Sequence, residues 1–153
     1  MPGFLSKTNI TVDELSDIKT AVSEAVTNSI DHGYPDKDDG EIIIRAKIAD
    51  IDDMSYISIE VEDFGVGIED VERATEVAYT TKPELEHAGM GFTIMETFMD
   101  EIVIDSEVSK GTKITMTKRL KSLREWYIEK NSNTCYYICV RVFLWGVFWK
   151  KIL

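Results

Sequence analysis

The feature that most restricts the fold is a pair of strand-like runs with a tight connection between them. Glu41 to Asp50 carries Ile42-Ile43-Ile44, and Tyr56 to Glu62 alternates apolar and polar residues as a half-buried strand does. Parallel neighbours need a crossover of a dozen residues or more, so the short link through Ile51-Asp52-Asp53 joins antiparallel strands. A second pair repeats the pattern. Glu101 to Val108 and Thr112 to Arg119 read as strands about a turn at Ser109-Lys110-Gly111.

Helical patterns surround these hairpins. Thr11-Val12-Asp13-Glu14 is a capping-box signature. After it, Leu15, Ile18, Val22, Ala25, Val26, Ser29 and Ile30 recur at spacings of three and four, which makes one buried stripe. That helix is expected to stop near His32-Gly33, ahead of Pro35, and His32 is explained by helix termination. Glu69 to Val77 reads as a short helix, and Gly89-Met90-Gly91 opens another that runs to about Met99. Tyr79 to Ala88 contains Pro83, has no periodicity and reads as a loop. The predicted fold is α+β: a two-layer α/β sandwich, its sheet mixed but mostly antiparallel, with helices on one face.

Charge divides the chain. Six cations against two anions from Lys121 to Leu153 give +4, so residues 1–120 carry −15 of the net −11. All three Trp, and both cysteines, Cys135 and Cys139, lie beyond Lys121. The expected organisation is a domain over residues 1–120 and a divergent aromatic, basic tail over 121–153. The acidic balance argues against direct nucleic-acid binding, which needs a basic face. It does not exclude a nucleotide held by backbone N–H groups, a metal ion and a few local cations. Two cysteines make no disulfide framework, Cys135-x₃-Cys139 lacks partners for zinc, and the first residues lack the apolar stretch of a signal peptide, so a cytoplasmic protein is expected. Cys135 to Trp149 is broken among charges only by Arg141 but is shorter than the ~20 residues of a membrane helix. The tail reads as an altered or out-of-frame end, with an interfacial anchor as the alternative.

Four features carry candidate chemistry. Glu24 and Asn28 share a helix face at i, i+4, about 200° from Val22 at roughly 100° per residue. They suit a carboxylate base beside a metal-ligating amide, or simply a solvated face. Asp63-x-Gly65-x-Gly67 follows a strand, where an Asp can accept from an exocyclic amine and glycines permit close approach to a flat base or a phosphate. Asp63-Phe64-Gly65 also spells a protein-kinase triplet, but neither the catalytic loop nor the glycine-rich loop of those enzymes is present. Gly89-Met90-Gly91-Phe92 leads into a helix whose free N–H groups suit phosphates, preceded by the polar loop Thr80-Thr81-Lys82-Pro83-Glu84. Gly111-Thr112 places a hydroxyl at a strand start.

In this order the features resemble the GHKL ATP-binding superfamily, which includes the histidine kinases. Glu24-Ala25-Val26-Thr27-Asn28, His32-Gly33-Tyr34, Thr80 to Glu86 and Gly89 to Glu96 look like the anti-sigma-F factors of endospore-forming bacteria, over roughly residues 10–120. The resemblance implies an ATP-dependent anti-sigma factor and protein serine kinase. Such a protein sequesters a sporulation sigma factor and phosphorylates a serine of an anti-anti-sigma factor, using ATP and magnesium. It further implies Glu24 as general base and Asn28 as magnesium ligand. Asp63 becomes the adenine reader beside Gly65 and Gly67, and Thr80, Thr81 and Lys82 the lid. Gly89, Met90, Gly91 and Phe92 become the phosphate loop, and Thr112 a late adenine-side contact.

Two alternatives stay open: an ATP-binding switch without transfer, and the detached catalytic domain of a sensor histidine kinase. Family members are homodimers that begin with a further strand and helix. This chain is expected to start where that helix ends, which weakens the dimer and sigma-factor contacts. His87 stands where the family often has arginine, replacing a fixed cation with a group mostly neutral at pH 7.

Overall fold

The computed structural model describes residues 10–35, 39–51, 54–76, 90–120 and 136–145. Helix α1 spans Val12–Asn28 and starts as its sequence requires. Thr11 is the N-cap, and its hydroxyl accepts from the Glu14 N–H at 3.2 Å. The Glu14 carboxylate accepts from the Thr11 N–H at 2.9 Å, which completes the capping box. Ile18, Val22 and Ala25 of the expected stripe are buried, together with Ala21; Leu15, Val26 and Ile30 pack at its margin. The helix does not end at Asn28 but widens into one π-helical turn, Ser29–Gly33.

Five strands follow: β1 (Asp39–Ile51), β2 (Met54–Asp63), β3 (Glu101–Glu107), β4 (Gly111–Leu120) and β5 (Tyr136–Trp145). They form one sheet in the order β3-β4-β2-β1-β5, and every pairing among the described residues is antiparallel. Both expected hairpins are present. Short helix α2 covers only Val71–Ala74, less than the Glu69–Val77 reading. Asp70 starts it by accepting from the Arg73 N–H at 3.0 Å, and a single turn has little more to bury. Helix α3 spans Gly91–Phe98.

The core lies between the sheet and the pair α1 and α3. Register places Ala46, Ile59 and Met116 side by side across β1, β2 and β4, and all three are buried. Ile18 and Met95 close over them from the helices, each fully buried. Lys118 fastens the layers together: its ammonium donates to the Phe98 carbonyl at the end of α3 at 2.6 Å and lies 3.2 Å from Asp17 of α1.

Strand β5 comes from the tail and was not read from the sequence as a strand. It pairs with β1 over ten residues, and Arg141 forms an ion pair with Glu41 at 2.6 Å. β1 lies inside the sheet, and Ile42 and Ile43 are both buried although they face opposite sides. Residues 121–135 and 146–153 lie outside the described residues, so of the tail only β5 is placed.

Candidate nucleotide site

Strand β2 ends on Asp63, which is only 4% exposed. A buried carboxylate needs donors, and three converge on it. The Gly65 N–H reaches its Oδ1 at 3.0 Å and the Thr112 N–H reaches the same oxygen at 3.3 Å. The third donor is the Ser29 hydroxyl. Thr112 arrives because it faces Asp63 in the β2–β4 register. Ser29 and Gly33 arrive because the π turn holds both against the end of β2; a Cβ on Gly33 would stand 3.0 Å from Asp63 Oδ1. Burial pushes the Asp63 carboxyl above the usual aspartate range, and the bonds from Gly65, Ser29 and Thr112 pull it back.

The loop after Asp63 is suspended between the helix end and the β3–β4 turn. Val66 N–H donates to the Gly33 carbonyl at 2.9 Å, and Ser109 N–H donates to the Val66 carbonyl at 2.7 Å. Ile68 N–H donates to Ser106 Oγ at 2.8 Å, and that oxygen lies 2.9 Å from the Thr112 hydroxyl. Buried Tyr34 holds the near side: its phenol donates to the Glu41 carbonyl at 2.6 Å and accepts from the Phe64 N–H at 2.8 Å. Desolvation pushes the Tyr34 phenol up, so it keeps the proton it donates.

Both motif glycines lie against backbone, and a Cβ on Gly67 would stand 2.2 Å from the Glu107 carbonyl oxygen. Gly67 has φ +72°, a left-handed conformation that glycine adopts without strain. Gly65 is required by contact, because a Cβ there would stand 2.0 Å from the Gly33 carbonyl oxygen. Both atoms in that clash are fixed to backbone. Gly65→Ala is therefore expected to destabilise the chain by about 3 kcal/mol and to lower Tm by roughly 10 °C. Thermal unfolding followed by circular dichroism checks this, and a shift under about 2 °C contradicts it.

Asn28 ends α1 on the other side of the site. A Cβ on Gly91 would lie 3.0 Å from both atoms of its amide, so that amide sits directly against the start of α3. The N-cap of α3 is Met90, which makes no side-chain cap bond, so no cap side chain occupies the first-turn N–H groups. Between the two ends lies a cavity of about 920 Å³. Of the residues singled out from sequence, Asn28, Asp63, Gly67, Gly91, Phe92 and Thr112 line it.

Gly65 supports Asp63 from behind, and Met90 is half exposed. Glu24 is half-buried, one turn before Asn28, and is not among the described lining residues. Thr80, Thr81, Lys82, His87 and Gly89 lie outside the described residues. The sequence reading missed Ser29, His32 and Arg73 as wall residues. Ser29 carried a signal, since a hydroxyl inside an otherwise apolar stripe needs a buried partner. His32 does sit where the helix stops, but it also lines the cavity. Arg73 had no signal, because its place depends on how α2 folds back over the site.

Residues 3–118 match the histidine kinase-like ATPase domain. The anti-sigma F factor of Clostridium novyi (strain NT) is 53% identical over 120 residues, which cover 78% of this chain and 81% of that one. The chain belongs to the anti-sigma F factor family. The anti-sigma F factor of Clostridium perfringens (strain SM101 / Type A) is 54% identical over 119 residues, covering 78% and 82% of the two chains. That of Clostridium kluyveri (strain ATCC 8527 / DSM 555 / NBRC 12016 / NCIMB 10680 / K1) is 52% identical over 120 residues. The two-layer fold is that of a histidine kinase-like ATPase domain. Among the described residues, no helix is long and apolar enough to cross a membrane.

Proposed function

We propose that this chain is an ATP-dependent anti-sigma factor and protein serine kinase. It sequesters a sporulation sigma factor and transfers a phosphoryl group from ATP to a serine of an anti-anti-sigma factor. One observation supports this reading above the others. A single cavity has a buried carboxylate with fixed donors at one end and an amide against an uncapped helix start at the other. The first end suits a base with an exocyclic amine, the second a metal-bound polyphosphate.

The residues fit ATP and Mg²⁺. Asn28 presents its amide where the N–H groups of Gly91 and Phe92 begin α3. Among the described residues there is no cluster of three His, Cys, Asp or Glu that would cage a metal on its own. Mg²⁺ characteristically keeps few protein ligands and is bound largely by phosphate oxygens and water, so a single amide such as that of Asn28 is a fitting protein ligand. ATP supplies the phosphoryl group when bound, and Mg²⁺ offsets its charge in a chain of net charge −11.

Asp63 accepts from the 6-amino group of adenine, and Thr112 contacts the same edge. Gly65 and Gly67 keep the loop flat beside the base. Asn28 holds the metal, while Met90, Gly91 and Phe92 offer backbone donors to phosphate. The family resemblance would assign Gly89 to the phosphate-contacting residues and Thr80, Thr81 and Lys82 to a lid, and all four lie outside the described residues. Glu24, one turn from Asn28, takes the proton of the attacking serine hydroxyl.

Incubation of the chain with Mg·ATP and a small protein bearing the acceptor serine is expected to yield phosphoserine on that protein. Nucleotide uptake with no transfer would instead identify a switch without kinase activity, and phosphohistidine on a partner a detached histidine-kinase domain.

A further inference from the structure

The proposed nucleotide reading assigns the base, the metal and the phosphates to other residues and does not use Ser29. Ser29 is 3% exposed, lines the cavity and donates its hydroxyl to Asp63. We propose that Ser29 is a positioning residue whose hydroxyl fixes Asp63 as an acceptor-only carboxylate, and so sets the acid limit of adenine-nucleotide binding.

The other donors to Asp63 are backbone N–H groups of Gly65 and Thr112, and both reach Oδ1. They are fixed by the loop and by the sheet register, and no side-chain substitution removes them. Ser29 supplies the one side-chain bond among the three. It comes from a different element, the π turn, so it holds the carboxylate against rotation away from the cavity. An ionised carboxylate only accepts, which matches the N–H of a 6-amino purine; a protonated one presents an O–H to the same edge. Burial favours the protonated form and the Ser29 bond opposes it.

Other charges face the same space. Glu62, next in β2, favours protonation of Asp63, and the Tyr34 phenol lies close to it. From the π turn comes His32, from the loop Glu69 and Asp70, and from α2 Glu72 and Arg73. All of these are unchanged when only Ser29 is altered, so a comparison at one position cancels them.

The inference rests on Asp63 being the base reader, and the test separates the two. Mg·ADP binding to the full chain is measured by calorimetry between pH 4.5 and 8, with limits chosen to bracket roughly the titration of a raised aspartate. In the parent chain affinity falls as the solution is made acid. Ser29→Ala is expected to show its acid limb moved up by roughly one pH unit relative to its own plateau at pH 8. Ser29→Thr, which keeps the hydroxyl, returns the limb toward the parent position. Ser29→Cys, close in shape but a weaker donor, moves it in the same direction as Ala and keeps the question answerable if Ala impairs folding. Superimposable parent and variant limbs overturn the proposal. So does an equal loss of affinity at every pH, which marks a packing role alone. If Asp63→Asn binds as tightly as the parent, the base-reader assignment itself has failed.

Discussion

Asp63→Asn is expected to fold as well as the parent chain and to lose adenine-nucleotide binding. The two outcomes share a cause. The native state holds the Asp63 carboxyl almost out of water, and burial raises its pKa. A raised carboxyl pKa means that the native state binds more protons than the unfolded chain between the ordinary aspartate value and the raised one. Stability therefore falls as pH rises through that window, and above it the buried charge opposes folding.

Asn removes this opposition and keeps an oxygen for the Gly65 and Thr112 N–H groups. Its stability is expected to equal or exceed the parent's at pH 7, with a flatter pH profile through the acid window. Denaturant unfolding at several pH values measures both. Binding goes the other way. The carboxylate oxygen offered to the base becomes an amide whose NH₂ can meet the purine amino group donor to donor. Loss of a charge-assisted bond together with an unpaired donor corresponds to about 3 kcal/mol, roughly a hundredfold in affinity. Calorimetry with Mg·ADP at pH 8 reads this, and a change below about fivefold contradicts the assignment.

Glu24→Gln is expected to separate chemistry from binding. Glu24 lies on α1 one turn before Asn28, half-buried and away from the core stripe. Gln keeps its size but cannot take a proton from the attacking serine. Loss of a positioned general base lowers the rate by about a hundredfold to ten-thousandfold. Nucleotide affinity should stay within about threefold of the parent, because Glu24 is not among the described wall residues. Stability should change by less than about 0.5 kcal/mol. Single-turnover phosphoserine formation with saturating Mg·ATP gives the rate directly. An unchanged rate removes Glu24 from the mechanism, and parallel loss of rate and nucleotide affinity assigns it to the nucleotide site.

Local signals were legible where one segment contains the whole cause. The capping box of Thr11 and Glu14, the stripe through Ile18, Val22 and Ala25, and both hairpins follow from short-range geometry, and the structure has each of them. The glycine motif was legible as a motif, but its reasons were not. Gly65 is required by the Gly33 carbonyl some thirty residues earlier in the chain, and Gly67 by its φ and by the Glu107 carbonyl some forty residues later. The tail shows the limit most clearly. Its composition departs from the rest of the chain, and that departure gave no indication that Tyr136–Trp145 would pair with β1. Pairing is a property of two strands, and a sequence pattern describes one.

The amino-acid order alone determined the helix start, the two antiparallel pairs, the acidic surface and the residue types a nucleotide site needs, because each depends on neighbours within a few positions. Only the tertiary structure decided that Ser29, Gly65 and Thr112 meet at one carboxylate, that Asn28 sits against Gly91, and that the sheet closes on β5. Those contacts form between segments far apart in the chain, and which segments meet is settled by packing the whole core.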